Sequence, residues 1–476
     1  MERKNMWETY SKKDLQEVEK LASGYIDFIS DNKTERECVA SAVEMAHLAG
    51  YRSIDQFRRL GKKLEAGDKV YAVNDNKALI LFQKGTDSIE SGVNILGAHI
   101  DSPRLDVKQN PAYEADGMAY LDTHYYGGIK KYPWVSMPLA IHGVVAKKDG
   151  SVVKVNVGDN PQDPVFCITD LLIHLADKQM KKTGTHVVEG EDLDVLVGSR
   201  PIKATKADAK AAANTPEALA QKEPVKAMLL QILQEKYSFD SEEDFLSAEL
   251  EVVPAGRARD CGFDRSMVLG YGQDDRSCAY TSLVAQLEAK DLKRSAMCIL
   301  TDKEEIGSVG ATGMTSMFFE NTMAELMDLA CEGTGLSLRH ALASSSMLSS
   351  DVSAGLDPLY KNEFEPKNAA YLGDGLVFNK YTGARGKSGS NDANAEYVAD
   401  IRAVMDKGNV GFQTAELGKV DAGGGGTIAY ILAKYGMDVI DCGVAVLSMH
   451  QPWEVVSKAD LYEARKGYKA FLMYQK

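Results

Sequence analysis

The amino-acid sequence predicts an α/β core split by an inserted, mostly β second domain. Three observations carry that prediction. From Ala248 onward, short apolar runs alternate with stretches of helical periodicity, the pattern of strands covered by helices. The first hundred residues pass from helical spacing to short alternating runs. Between these regions, residues 107–250 read mainly as strands punctuated by Gly, Pro and Asp,. The length of 476 residues also favours more than one substructure,. The expected boundaries are 1–106 plus 251–476 for a discontinuous core domain and 107–250 for the insert.

The elements follow in order. Apolar residues at Leu15, Val18, Leu21, Ala22, Tyr25 and Ile29 recur at helical spacing, so 15–29 is expected to be a helix,. A second helix is expected over 35–50, stopped by Gly50,. Segments 69–73, 78–84 and 94–100 read as strands bounded by turn residues, as do 139–147 and 151–157 within the insert,. Residues 168–182 return to helical spacing. Segment 203–224 is rich in Ala and Lys, carries Pro216 and Pro224, and reads as an exposed loop or partly helical arm,. Strands are then expected at 248–253, 266–271, 296–301, 346–350, 376–379, 413–416 and 438–442. Helices are expected at 277–289, 310–328, 391–405, 427–435 and 458–474.

Composition excludes several classes. Lys and Arg total 55 against 69 Asp and Glu, a net charge of −14, which argues against the basic footprint of nucleic-acid binding. No apolar run approaches the ~20 residues that span a bilayer. The charged opening lacks the apolar core of a secretion signal,. Seven cysteines are scattered without a CxxC pair, as expected in a reducing cytoplasm and not in a disulfide framework or thiolate zinc site.

Five segments carry candidate chemistry. In Gly97-Ala-His99-Ile-Asp101-Ser-Pro103, His99 and Asp101 face the same side of an extended chain,. An acidic neighbour is the usual orienting partner of a metal-binding imidazole, although a strand-end surface histidine explains the triplet alone. Gln273-Asp274-Asp275-Arg276 precedes a helix, where two carboxylates serve either as a cap or as a ligand shared by two cations,. Glu304 and Glu305 follow an apolar strand. Strand carboxyl ends are where open α/β sheets bind ligands, and adjacent carboxylates near a core edge need a cation or a shared proton, although a plain solvated loop also explains the pair. Asp351 and His450 each end a further apolar run. Two His with several carboxylates suit zinc, cobalt or manganese. The carboxylate excess for one tetrahedral ion suggests two metals with a bridging carboxylate.

In chain order, GAHIDSP, GQDDR, DKEEIGS, SSDVSAG and VLSMHQP resemble the motifs of the M18 metalloaminopeptidases, a family of the cocatalytic-zinc exopeptidase clan. The motifs span residues 97–452, and with the strand–helix order around them the resemblance covers essentially the whole chain. It implies a mixed-sheet zinc-exopeptidase domain and an enzyme that removes the N-terminal residue of peptides, in keeping with the soluble, cytoplasmic protein that composition and cysteine usage lead one to expect. It implies two divalent ions per subunit, with zinc first and cobalt or manganese as alternatives. His99, Asp274 and Asp351 would hold one ion, and Asp274, Glu305 and His450 the other. Asp101 would orient His99, and Glu304 would be the general base that activates the bridging water. The insert would build a homo-oligomer, a dodecamer in the family. On its helix, His174 would reach a neighbouring subunit's site and stabilise the tetrahedral oxygen. No membrane or nucleic-acid partner is implied.

One departure bears on specificity. Members that prefer acidic N-terminal residues carry a lysine where this sequence aligns Val377. Lys380, Arg385 and Lys387 follow as other sources of a cation. A pocket for neutral or apolar side chains is the favoured expectation. Two alternatives remain: an inactive shell-forming homologue, and an amidohydrolase or deacetylase on the same two-metal fold. The presence of His99, Asp274, Glu304, Glu305, Asp351 and His450 together speaks against the inactive form.

Overall fold

The computed structural model describes residues 4–203, 219–333, 335–383 and 386–474. The chain forms two compact units. The first comprises Met1–Ser102, Ala258–Met449 and Trp453–Lys476, and the second Pro103–Arg257 with His450–Pro452. The chain passes from the first unit to the second ahead of strand Arg104–Ala115, returns beyond strand Ala248–Pro254, and leaves again for His450–Pro452.

The first unit is built on a nine-stranded mixed sheet. Its order is Arg52–Ser53, Lys69–Asn74, Ala78–Gln83, Ser295–Thr301, Val93–His99, Ser346–Ser349, Asp438–Gly443, Leu376–Asn379 and Phe412–Thr414. The four strands from Ser295–Thr301 to Asp438–Gly443 run parallel. Their apolar runs follow from burial on both faces. Leu96, Ala98, Cys298, Leu300, Leu348 and Ile440 pack into one layer, with residues of helices Lys12–Asp31, Gln273–Glu288 and Lys458–Leu472. Ile95, Met297, Ile299, Met347 and Val439 pack into the other, with helices Phe318–Leu329 and Leu336–Ser344. Such alternation is the period-two consequence of the pleat. A five-stranded sheet completes the unit, in the order Arg259–Cys261, Met267–Gly270, Glu454–Ser457, Ala445–Leu447 and Ser353–Ala354.

Local chemistry sets the first helix starts. Ser11 with Asp14, and Thr34 with Glu37, form reciprocal capping boxes ahead of Lys12–Asp31 and Glu35–Leu48,. Among the described residues no helix is long and apolar enough to cross a membrane.

The second unit holds a six-stranded antiparallel sheet. Its order is Val152–Val157, Leu139–Ala146, Ala248–Pro254, Arg104–Ala115, Met118–Tyr126 and Val195–Gly198. Helix Pro224–Tyr237 belongs to this unit, with Pro224 in its first turn, where a missing N–H costs nothing.

Several expectations are corrected. Residues 168–182 are not a helix and contain only the short 3-10 turns Ile173–Leu175 and Gln179–Lys181. Leu171, Leu172, Ile173 and Leu175 are all exposed, and an amphipathic helix draws most of its stability from a buried face. The expected helix at 310–328 begins only at Phe318. Helices Ile54–Arg59, Pro224–Tyr237 and Leu336–Ser344 go beyond the elements the sequence predicts. Residues 204–218 of the Ala/Lys-rich arm, and Arg385, lie outside the described residues.

Candidate active site

Parallel strands bring the candidate side chains together. His99 is the last residue of Val93–His99, and its strand register pairs it with Thr301, the last residue of Ser295–Thr301. Glu304 and Glu305 follow in the 3-10 turn Glu304–Ile306. On the other side of Val93–His99, Ser349 pairs with Gly97, and Asp351 comes two residues later. The carboxyl ends of three parallel strands of one sheet thus deliver His99, Glu304, Glu305 and Asp351 to one edge. Asp274 and Asp275, joined by a cis peptide, open helix Gln273–Glu288.

The histidine geometry assigns its two nitrogens. His99 Nδ1 lies 3.1 Å from the Asp101 carbonyl oxygen and 3.3 Å from Asp101 Oδ1. Both are acceptors, so Nδ1 carries the proton. His99 Nε2 faces Asp274 Oδ1 at 3.2 Å, Asp351 Oδ1 at 3.9 Å and Glu304 Oε2 at 4.0 Å. One lone-pair nitrogen ringed by carboxylate oxygens calls for either a proton on that nitrogen or a cation among the donors. Burial pulls the His99 pKa down, but hydrogen bonds to Asp101 and Asp274, with the nearby negative charges, hold it well above its ordinary value. Burial pushes the Asp275 and Asp351 carboxyls well above theirs, with Asp274 adding repulsion to both.

Among the described residues, two groups place ligand atoms within 4.8 Å of one another: His99, Asp274 and Glu305, and His99, Asp275 and Asp351. Imidazole with carboxylates is a donor set that zinc accepts. The residues therefore fit a metal ion. Asp275, which is not among the ligands that the family resemblance implies, belongs to the second group. One of its oxygens also accepts the His99 backbone N–H at 3.3 Å.

Asp101 does more than face His99. Its two oxygens accept the backbone N–H groups of Glu304 and Glu305, each at 3.1 Å. The turn they cap is bracketed by Lys303 and Gly307 in the left-handed region, at φ 68° and 97°. A single buried carboxylate thereby ties the histidine strand to the diglutamate turn.

Comparison with known proteins gives this geometry its context. Residues 28–472 match the Peptidase M18 family, described as aminopeptidase I zinc metalloprotease. The chain belongs to the M18 aminopeptidase family. It is 58% identical over 471 residues to a probable M18 family aminopeptidase 1 of Clostridium acetobutylicum, covering 99% of this chain and 98% of that one. The crystal structure of aminopeptidase I from Clostridium acetobutylicum matches with a TM-score of 0.90 at 57% identity, covering 99% of both chains. The M18 aminopeptidase structure from Thermotoga maritima matches with a TM-score of 0.91 at 43% identity, again over 99% of both chains. The protein is accordingly a zinc-dependent hydrolase of the aminopeptidase class.

The other sequence candidates of this M18 aminopeptidase occupy different settings. His450 groups with the second unit and follows strand Ala445–Leu447 in a turn, at φ 62°. Its Nδ1 lies 2.9 Å from the Gly128 carbonyl oxygen. That acceptor puts the proton on Nδ1 and leaves Nε2 as the nitrogen with the lone pair. His174 sits in the exposed turn Ile173–Leu175. Val377 is wholly buried in a small apolar cluster with Ala370, Ala415 and Ala445. Lys380 and Lys387 both pair with Asp392, at 2.7 and 2.9 Å.

Proposed function

We propose that this aminopeptidase works with two divalent ions per chain, zinc first. His99, Asp274 and Asp351 are assigned to one ion, and Asp274, Glu305 and His450 to the other. The observation that carries the reading is the convergence of Asp274, Glu304 and Asp351 on the lone-pair nitrogen of His99. The Nδ1 hydrogen bond of His450 to a carbonyl oxygen supports its part in the same way,.

Bound ions would supply Lewis acidity, lowering the pKa of water and polarising the scissile carbonyl. Glu304 takes the proton of the attacking water and returns it to the leaving amine. Its backbone is held by Asp101, so its carboxylate is delivered from a fixed turn. Asp101 also keeps the proton of His99 on Nδ1. His174 is the candidate for stabilising the tetrahedral oxygen in a neighbouring copy. The exposed apolar residues Leu171, Leu172, Ile173 and Leu175 around it favour a homo-oligomer,, with the dodecamer of the family resemblance as the proposed state.

The substrate side chain at the N-terminal position is proposed to be neutral or apolar in preference to acidic. Lys380 and Lys387 already share the carboxylate of Asp392. Val377 offers no charge.

The Glu304 role is tested with Glu304→Gln. The variant is expected to keep its metal content and lose turnover by about 10²-fold or more. Near-full turnover with metals bound refutes the assignment.

A further inference from the structure

Asp274 is held by two side chains that lie outside the metal-binding groups. The first N–H groups of any helix lack intrahelical acceptors. In helix Gln273–Glu288 the preceding residue is Gly272, which has no side chain to cap them. A carboxylate from a distant part of the chain takes its place. Glu454 begins strand Glu454–Ser457, is in register opposite Gly270, and is 1% exposed. Its Oε2 accepts the N–H of Gln273 at 2.7 Å and that of Asp274 at 3.1 Å. Its backbone oxygen accepts the side-chain amide of Gln273, whose own oxygen receives the Tyr25 hydroxyl at 3.1 Å. On the other face, Ser102 Oγ donates to the Asp274 carbonyl oxygen at 2.9 Å.

Both peptide groups that flank the Asp274 side chain are thereby tied to the rest of the unit. Ser102 follows Asp101 directly, and Glu454 comes from the five-stranded sheet. Arg276, wholly buried, adds a third tie by donating to the carbonyl oxygens of Ile100 and Lys33 at 3.1 and 2.8 Å. Asp274 itself has φ −81° and ψ 106°, outside the helical region. The helix ladder therefore does not set the direction of its carboxylate.

We propose that Glu454, together with Ser102, is a positioning residue that aims the Asp274 carboxylate at the metal site. This rests on the reading of Asp274 as a metal ligand. A ligand set must be held close to its final geometry before the ion binds, and groups that hold ligands commonly matter nearly as much as the ligands. A plain helix cap, by contrast, stabilises the fold and leaves metal binding alone.

The experiment uses the full chain loaded with cobalt(II), reading the visible absorption spectrum and the affinity by competition titration. Glu454→Ala is expected to weaken cobalt binding ~10–100-fold and to change the spectrum. Glu454→Gln retains an oxygen that accepts both N–H groups, so it is expected to recover to within about threefold. Ser102→Ala is expected to shift both readouts in the direction of Glu454→Ala. Wild-type affinity and spectrum in Glu454→Ala, with only the melting temperature lowered, overturn the proposal. So does a Glu454→Gln variant as impaired as Glu454→Ala. If Glu454→Ala fails to fold, Ser102→Ala decides, and unchanged cobalt binding in it overturns the proposal. Asp274→Asn is run beside them. Wild-type cobalt binding in Asp274→Asn would overturn the ligand reading itself, whatever the Glu454 variants do.

Discussion

Gly443 offers a steric test of how tightly Asp351 is placed. It ends strand Asp438–Gly443, which lies between Ser346–Ser349 and Leu376–Asn379. A β-carbon added there would overlap the backbone carbonyl oxygen of Asp351 and lie 3.0 Å from Cys278 Sγ. Neither neighbour yields easily. Cys278 is wholly buried. The Asp351 backbone is anchored on both sides, through Ser350 N–H to Gly97 O at 2.6 Å and Ser353 N–H to Val444 O at 2.8 Å. Relieving the overlap takes a displacement on the order of 1 Å, and a misplacement of that size at a catalytic site costs about 10²-fold in rate. Metal affinity should fall ~10–100-fold. Overpacking of this kind also lowers stability by about 1–3 kcal/mol. Zinc competition titration and kcat/KM on Gly443→Ala read the first two effects, and thermal unfolding in chelator reads the third. Gly184, with open space around it, supplies the control, and Gly184→Ala should leave all three readouts unchanged. Wild-type zinc affinity and activity in folded Gly443→Ala would refute the claim that the strand positions Asp351.

Three further outcomes are expected. Asp101→Asn leaves a single acceptor oxygen for the two N–H groups of Glu304 and Glu305. Steady-state kinetics at saturating zinc should show kcat/KM reduced ~10–100-fold, and an unchanged value would count against the linking role of Asp101. His174→Ala should fold normally and lose activity by about 10²-fold. Mixing it with Glu304→Gln subunits should restore part of the activity, and no restoration would argue against a site shared between copies. Burial pushes the Asp441 carboxyl from 3.8 up to about 7, against the opposing hydrogen bond from Thr427. Because the folded value lies above the unfolded one, this contribution to stability is complete below the unfolded value and is lost as pH rises to about 7. At about 1.4 kcal/mol per pH unit, Asp441 should cost the wild type about 3 kcal/mol between about pH 5 and about pH 8. Urea unfolding of Asp441→Asn at the two pH values should show that difference gone, and an equal loss in both proteins would contradict it.

The parallel core strands are legible because burial on both faces leaves continuous apolar runs such as Ser295–Thr301, and the candidate residues stand where those runs stop,. His99, Glu304 and Asp351 announce themselves in that way. The second unit was harder to read. The apolar residues of 168–182 mimic a helical face, but they stay exposed, and periodicity alone does not say whether a surface exists to receive them. Helix Pro224–Tyr237 opens on a proline that the sequence pattern places at the end of the Ala/Lys-rich arm, whereas it stands in the helix's first turn. Long-range clamps carry no sequence signal at all. Glu454 meets Asp274 across 180 residues, and nothing in the spacing of either motif marks the contact. Asp275 looked like a capping neighbour because its proximity to Asp351 exists only in the folded sheet.

Metal stoichiometry tests the dinuclear centre most directly. Protein purified without chelator is assayed for metal by mass spectrometry, beside hydrolysis of aminoacyl-p-nitroanilides and their N-acetylated counterparts. About two divalent ions per chain are expected, with cleavage confined to free-amine substrates, loss of activity on chelation and its return with zinc. One ion or none per active chain, or full activity after the metal is stripped, would contradict the dinuclear centre.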